Sequence, residues 1–159
     1  MIPVAGLHIL SAEQGAPLDD ARRLIAAYFA SRPGDPALAT SKAELDTLPG
    51  AYAAPQGGLL VAYQQGTAVG CVAIRREEGS ICEMKRLYVH PPFRGQGIGR
   101  ALAEATLGRA RRLGYTHMRL DSIPSMQAAQ QLYPKLGFYE IPPYRHNPNE
   151  GTRYFEAVL

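Results

Sequence analysis

A strand that runs into a glycine-spaced turn and then into a helix constrains this chain more than any other feature. The segment reads LYVHPPFRGQGIGR over residues 87–100, with glycine at every second position from 95 to 99. A helix that begins at such a turn presents unpaired backbone N–H groups and the positive end of its dipole to one point. Because glycine has no β-carbon to hold a ligand away, the turn predicts a phosphate site, and Arg94 and Arg100 add positive charge beside it.

Two common phosphate-binding motifs do not fit this turn. The Walker pattern requires Lys and then Ser or Thr after its last glycine, whereas Gly99 is followed by Arg100 and Ala101. The dinucleotide fingerprint GxGxxG, begun at Gly95, would need glycine where Arg100 stands. Glycines that only tighten the turn are the alternative that these residues leave open.

Hydrophobic periodicity and turn residues predict the elements around the turn. Asp19 or Asp20 is expected to cap the first helix, and residues 64–67 are expected to form a hairpin. The central succession of strand, helix and strand implies parallel neighbours, so we predict one α/β domain over residues 1–159, with a mixed (α+β) sheet. The predicted helices cover residues 18–30, 41–48, 97–113 and 126–136, and the predicted strands cover 58–63, 68–75, 81–89, 117–121 and 153–158.

Composition and residue spacing exclude several other classes of protein. With 46% hydrophobic and 19% charged residues, the chain is not of the disordered type. No apolar run approaches the roughly 20 residues of a membrane span, and the first ten residues lack a basic flank, so a cytoplasmic protein without a membrane partner is expected. The histidines do not cluster as metal ligands, and no aromatic–basic interleaving suggests a nucleic-acid partner. Cys71 and Cys82 are predicted to be reduced core thiols, with a strand-to-strand disulfide as the alternative.

At the glycine turn the sequence resembles the GNAT superfamily of N-acetyltransferases. Arg94-x-x-Gly97-x-Gly99 has the Arg/Gln-x-x-Gly-x-Gly/Ala form of that family's acyl-CoA site. Residues 129–138 are similar to its second signature, a helix that ends in LYxKxGF. The likeness is strong over residues 81–138 and extends over the whole chain in the order of the elements. It implies a GNAT-like fold, a central mixed sheet with two splayed parallel strands flanked by helices.

The resemblance also implies acetyl-CoA as the acyl donor, with no metal. The strand backbone at residues 87–89 would pair with the pantetheine amides, and the N–H groups of the turn would hold the pyrophosphate. Met126 stands where the family often has Asn, so the polar contact to the cofactor arm is either lost at that position or made by backbone. The cofactor-binding residues implied in this way are Leu87, Tyr88, Val89, Arg94, Gly95, Gln96, Gly97, Ile98, Gly99, Arg100, Met126 and Ala129.

The same resemblance implies two catalytic residues, Glu83 and Tyr133. Acetyl transfer needs a neutral amine, a stabilised oxyanion and a protonated leaving thiolate. Glu83 lies on the strand that leads into the turn, where the family often carries a catalytic glutamate, and is the candidate base; a structural glutamate paired with Lys85 or Arg86 is the alternative. Strict alternation would place Glu83 on one face with Leu87, so a bulge near Lys85 is expected.

Tyr133 matches the family position whose phenol lies near the CoA sulfur, and is the candidate acid. Its ordinary pKa of about 10 lies above that of a thiol, about 8.5, so a neutral phenol is able to donate a proton. A core tyrosine with no catalytic role is the alternative. A backbone N–H near Leu87 or Tyr88 would meet the oxyanion.

The predicted function is acetyl transfer from acetyl-CoA to a primary amine of a small molecule, by direct attack within a ternary complex. The acceptor is expected to contact the first two helices, the Tyr52 region and the loop 139–152, and the acids within residues 11–50 favour a cationic amine. Two alternatives stay open: a non-catalytic acyl-CoA-binding sensor, and a protein or peptide N-acetyltransferase. The second would need a groove that the loop 141–148 leaves uncovered. Homodimer formation is left open.

Overall fold

A mixed seven-stranded sheet organises the part of the chain that the computed structural model describes, residues 4–159. The strands are β1 (Leu7–Ser11), β2 (Gly58–Gln64), β3 (Thr67–Glu78), β4 (Ile81–Val89), β5 (His117–Ser122), β6 (Tyr139–Ile141) and β7 (Arg153–Val158). Their order across the sheet is β1-β2-β3-β4-β5-β7-β6, in which β4 and β5 are parallel and every other neighbouring pair is antiparallel.

Helices cover both faces of this sheet. They are α1 (Gly15–Ala30), α2 (Ser41–Thr47), α3 (Ile98–Arg112) and α4 (Gln127–Lys135), with short 3₁₀ turns at Pro36–Leu38, Gly50–Tyr52 and Pro91–Phe93. Within residues 4–159, no helix is long and apolar enough to cross a membrane. The mixed sheet with flanking helices confirms the fold class that the sequence predicts.

Alternation along the central strands divides the core into two layers. In β2, Leu60 and Ala62 point to the layer that contains α3, while Leu59 and Val61 point to the layer that contains α1. This period of two is what a strand buried on both faces requires. Cys71 lies in the α1 layer and Cys82 in the α3 layer, and both thiols are free, so the disulfide alternative is wrong.

The start of α1 and the two edge strands differ from the sequence prediction. The helix begins at Gly15 with Gln14 as its N-cap, so the expected cap at Asp19 or Asp20 is wrong. Both aspartates lie inside the helix, where each forms an ion pair with the arginine three residues further along the chain. The edge strands β1 and β6 were not predicted, because they are short and mostly exposed.

A bulge in β4 changes which face its side chains point to. Ala73 pairs with Lys85 and Cys71 pairs with Tyr88, so two residues of β4 lie opposite one residue of β3. Arg86, at the bulge, has a φ of +59°. Without the bulge, Met84 and Tyr88 would point to the same face of the sheet. In the structure Met84 packs in the α3 layer and Tyr88 packs in the α1 layer. The expected bulge near Lys85 is therefore present.

The parallel strands β4 and β5 diverge soon after they pair. Their register covers only Ile81–Glu83 opposite His117–Arg119. Beyond this point β4 stays with β3 and β5 stays with β7, so the sheet opens between them. Two cavities lie at this opening, one toward α3 and one beneath the loops that follow α1 and β6.

Candidate active site

The larger cavity, about 500 Å³, lies between the end of β4, the first turn of α3 and the side of α4. We call it the cofactor cleft. Its volume falls in the range of about 300–1,000 Å³ that small-molecule sites usually have. Every residue that the sequence predicted for cofactor binding lines it except Gln96 and Arg100. Arg100 is turned away because its Nε donates a hydrogen bond to Glu104 Oε1 at 3.0 Å, one turn further along the helix.

Backbone donors at the start of α3 face this cleft. Gly97 is the N-cap, and its φ of +86° is a left-handed conformation that glycine adopts without strain. The first helical bond runs from Ala101 N–H to Gly97 O at 3.1 Å. The three N–H groups between these residues therefore have no acceptor within the helix. Arg94 lies beside them, with its Nε donating to Val89 O at 2.8 Å and its guanidinium over the Tyr88 ring.

The smaller cavity, about 180 Å³, lies on the other side of Tyr133; we call it the acceptor cavity. The loop 142–152 contributes the wall residues 145–148 and thus covers this cavity. Asn149 Nδ2 donates to Asp35 Oδ1 at 2.8 Å, a bond that joins this loop to the one that follows α1. Tyr52, expected near the acceptor, lines a separate depression instead.

Tyr133 forms part of the wall of both cavities. Its ring packs against Phe138 and Phe155, with centroids 5.6 and 5.5 Å away, which fixes the direction of the side chain. The residue is 5% exposed, and burial raises the pKa of its phenol well above the ordinary value of about 10. The hydroxyl is therefore protonated at neutral pH, on a residue that lines both the cofactor cleft and the acceptor cavity.

Glu83 is fully buried and lines neither cavity. Its carboxylate accepts hydrogen bonds from Arg75 Nε at 2.8 Å and from Tyr144 Oη at 2.6 Å, and forms an ion pair with Arg145. Lys85 Nζ lies 4.0 Å from the same carboxylate. Burial alone would raise the pKa of Glu83, but these neighbouring cations and the tyrosine hydroxyl hold it below its usual range.

The ion pairs around Glu83 include one of the two partners that the structural alternative offered. Lys85 is near Glu83 as that alternative requires, whereas Arg86 is bound elsewhere. Its Nε and Nη2 donate to the two carboxylate oxygens of Glu44, each at 2.8 Å. This bidentate pair attaches α2 to β4.

The polar groups of the acceptor cavity were missed by the sequence analysis. Lys85, Asp121 and Arg145 all contribute to its wall, from β4, from β5 and from the loop after β6. Asp121 lies near the carboxyl end of a central strand, a place typical of functional residues in α/β sheets, and that signal could have identified it. Among residues 4–159, no three His, Cys, Asp or Glu side chains come together as a metal site.

Comparisons with known proteins agree with this arrangement. Residues 19–138 match the model of the acetyltransferase (GNAT) family. An uncharacterised N-acetyltransferase of Schizosaccharomyces pombe is 35% identical over 161 residues, which cover 100% of this chain and 99% of that protein. N-acetylaspartate synthetase of Danio rerio is 34% identical over 122 residues, covering 76% of this chain and 40% of that longer protein.

A solved structure from Salmonella typhimurium, determined with its cofactor acetyl-CoA, has a similar fold. Its TM-score is 0.70 at 20% identity, and the match covers 97% of this chain and 94% of that one. The family match spans most of the chain, including both the glycine turn and Tyr133. The chain therefore belongs to the GNAT family of acetyltransferases.

Proposed function

We propose that this protein transfers an acetyl group from acetyl-CoA to a primary amine of a small molecule, by direct attack within a ternary complex. The observation that carries the proposal is the position of Tyr133, a neutral phenol in the wall shared by the cofactor cleft and the acceptor cavity. The acetyl-CoA bound by the Salmonella neighbour supports the choice of donor. The name of the Danio relative, which specifies the small molecule N-acetylaspartate, supports a small acceptor.

The residues of the cofactor cleft fit coenzyme A. The unpaired N–H groups at the start of α3 would hold the pyrophosphate, and Arg94 would add a charged contact at the rim. The backbone of residues 87–89 would pair with the pantetheine arm as an added strand. Arg86 and Leu87 have no register partner on β3, so an N–H near Leu87 or Tyr88 is our candidate for the oxyanion contact.

Proton transfer in the proposed reaction runs through Tyr133. The acceptor ammonium first loses one proton, and the neutral nitrogen then attacks the acetyl carbon. As the carbon–sulfur bond breaks, Tyr133 gives its proton to the sulfur, and it regains one from the nitrogen when the amide forms. The net result is one amide, one thiol and one released proton.

Glu83, the base expected from the resemblance, is better suited to a positioning role. Its carboxylate is buried, accepts bonds from Arg75 and Tyr144, and is held by cations in its unprotonated form. We propose that it fixes the acceptor-side residues Lys85 and Arg145, both of which line the acceptor cavity.

The covering loop favours a small acceptor over a peptide. Its residues 145–148 lie over the acceptor cavity, and the bond from Asn149 to Asp35 keeps it joined to the opposite side. A peptide substrate would need an open groove at this place. The buried phenol at the junction of the two cavities likewise favours an enzyme over a non-catalytic acyl-CoA sensor.

We place this reaction in the cytoplasm as part of the proposal. Cys71 and Cys82 are free and buried, and they lie in different layers of the core. Buried thiols that do not pair are usual in reducing compartments.

Coenzyme A should stabilise the folded protein. At a concentration of about 100 times its Kd, CoA adds about 2.7 kcal/mol to the free energy of unfolding. For a chain of this length that corresponds to a rise in Tm of about 5–11 °C, measured by differential scanning fluorimetry. Pantetheine, which lacks the diphosphate, is the matched control and should give a much smaller rise. An unchanged Tm with CoA would contradict the assignment of the cofactor cleft.

Replacing Arg94 with Ala should weaken CoA binding in a salt-dependent way. The side chain lines the cofactor cleft and is exposed, so its attraction to a phosphate is screened by salt. Isothermal titration should show a loss of about tenfold in affinity at low ionic strength, and a smaller loss at high ionic strength. Arg111→Ala, at the exposed far end of α3, is the control. Equal effects in both variants would show that Arg94 makes no specific contact.

A further inference from the structure

The ammonium group of Lys85 lacks a close partner. It lines the acceptor cavity, and its side chain is only 13% exposed. Within the described part of the chain, the one carboxylate at ion-pairing distance is Glu83, at 4.0 Å, and that carboxylate already binds Arg75, Tyr144 and Arg145. An ammonium has three donors, and those of Lys85 make no hydrogen bond at normal distance within residues 4–159. Lys85 therefore has donors free for an acceptor that a ligand supplies.

Asp121 is the complementary group on the opposite strand of the opening. It lines the same cavity from β5 and accepts one hydrogen bond, from Asn147 Nδ2 at 3.2 Å. An ionised carboxylate has about four acceptor positions, so most of its capacity is free. Over residues 4–159, no Lys or Arg nitrogen lies within ion-pairing distance of it, and Lys85 is thus more than 4.0 Å away. The cavity holds one cation and one anion that do not pair with each other.

The other charges of the wall are already neutralised. Arg32 forms an ion pair with Asp35, and Arg86 binds Glu44 through two bonds. Arg145 uses its Nη2 for Glu77 and Glu83, which leaves its remaining N–H groups for a ligand. The acids within residues 11–50, which favoured a cationic amine, therefore do not reach the cavity as free carboxylates. Lys85 has only the distant partner Glu83, at 4.0 Å, and Asp121 has no ion-pair partner within the described residues.

We propose that the acetyl acceptor is an amino acid, whose carboxylate binds Lys85 and Arg145 and whose amino group faces Asp121. This inference rests on the acetyl transfer proposed above and specifies its acceptor. A molecule that carries both charges can contact Lys85 and Asp121 at once, and a cavity of about 180 Å³ limits that molecule to a small one. Asp121 accepts a hydrogen bond from the ammonium and takes its proton, which passes to solvent before the nitrogen attacks.

The first test uses the unmodified protein and measures thiol release from acetyl-CoA. The twenty amino acids are compared with spermidine, and the best amino acid is then compared with its α-amide and its decarboxylated amine. Loss of the carboxylate should lower kcat/KM by about 10- to 100-fold, because a charge-assisted contact is lost. Turnover of the amide or of the decarboxylated amine at the same rate would overturn the inference and leave the transferase intact. No thiol release with any amine, while CoA still raises the Tm, would overturn both proposals.

The second test separates the two ends of the acceptor. Lys85→Gln should raise the KM of the amino acid by about 10- to 100-fold, and leave the KM of the decarboxylated amine and of acetyl-CoA unchanged. Asp121→Asn should lower kcat/KM for both acceptors, because both carry the amino group. Lys42→Gln, on the exposed face of α2, is the control. Equal effects of Lys85→Gln on the two acceptors would overturn the assignment of the carboxylate site, and the acceptor series on the unmodified protein decides the matter should this variant fail to fold.

Discussion

Replacing Tyr133 with Phe should lower kcat by about 10²- to 10⁴-fold, the usual contribution of a positioned acid or base. The substitution removes only the hydroxyl, and the ring contacts with Phe138 and Phe155 remain. Because burial keeps the phenol neutral, the lost group is a proton donor and not a charge. Affinity for CoA should change little, since the cofactor cleft is otherwise intact. Single-turnover thiol release and a parallel binding titration measure the two effects separately.

Tyr139→Phe is the matched control for this experiment. Tyr139 lies on the edge strand β6, is 45% exposed and donates a hydrogen bond to Glu156, away from both cavities. Its replacement should leave kcat unchanged. A Tyr133→Phe variant that loses CoA affinity as strongly as turnover would show a structural role for the hydroxyl, and one that keeps full turnover would exclude Tyr133 as the acid.

The parts of the site that the sequence predicted are those that a short segment determines. The turn at residues 94–99 needs glycine at its left-handed positions and ends in a helix, so spacing alone identifies the backbone donors. The position of Tyr133 came from a second local motif. Spacing does not specify side-chain rotamers, however: the side chain of Arg100, expected to add charge beside the turn, binds Glu104 along the helix, whereas its backbone N–H remains among the predicted donors.

The acceptor cavity depends on contacts that sequence spacing does not show. Lys85 and Asp121 approach because β4 and β5 are parallel neighbours that diverge after three paired residues, and no local pattern specifies where the pairing ends. Arg145 reaches Glu83 from a proline-rich loop 62 positions later in the chain. The same loop covers the cavity. The acids along the sequence therefore favoured a cationic amine, whereas the charged side chains that line the cavity favour an amino acid.

Replacing Glu83 with Gln should cost about 3–5 kcal/mol of folding free energy, because the partners of a buried ion pair are left without their counter-charge. Arg75, Lys85 and Arg145 all surround this fully buried carboxylate. For a chain of this length the loss lowers the Tm by about 6–20 °C. Glu78→Gln, an exposed change on β3, is the matched control and should cost less than about 0.5 kcal/mol. Urea unfolding at pH 7 measures both.

The pH dependence of this loss follows from the direction of the pKa shift. The folded protein holds the pKa of Glu83 below its usual range, so the carboxylate contributes its full stability above the ordinary value of about 4.3. That contribution is lost as the pH falls through the lower pKa of the folded state. The difference in free energy of unfolding between the parent protein and Glu83→Gln should therefore be constant from pH 7 to about 5. It should become smaller in stronger acid. A difference in free energy of unfolding that does not change with pH would show that the ion pairs of Glu83 contribute nothing to stability.

The activity of the folded Glu83→Gln variant decides between a base and a positioning residue. A base that must be unprotonated sets the acidic limb of the profile of kcat/KM against pH, and its replacement by Gln removes that limb. A residue that positions Lys85 and Arg145 instead controls acceptor binding, so the KM of the acceptor should rise while the acidic limb stays where it was. Loss of the limb with an unchanged KM would return Glu83 to the role of base. Retention of the limb with a raised KM would support the positioning role of Glu83.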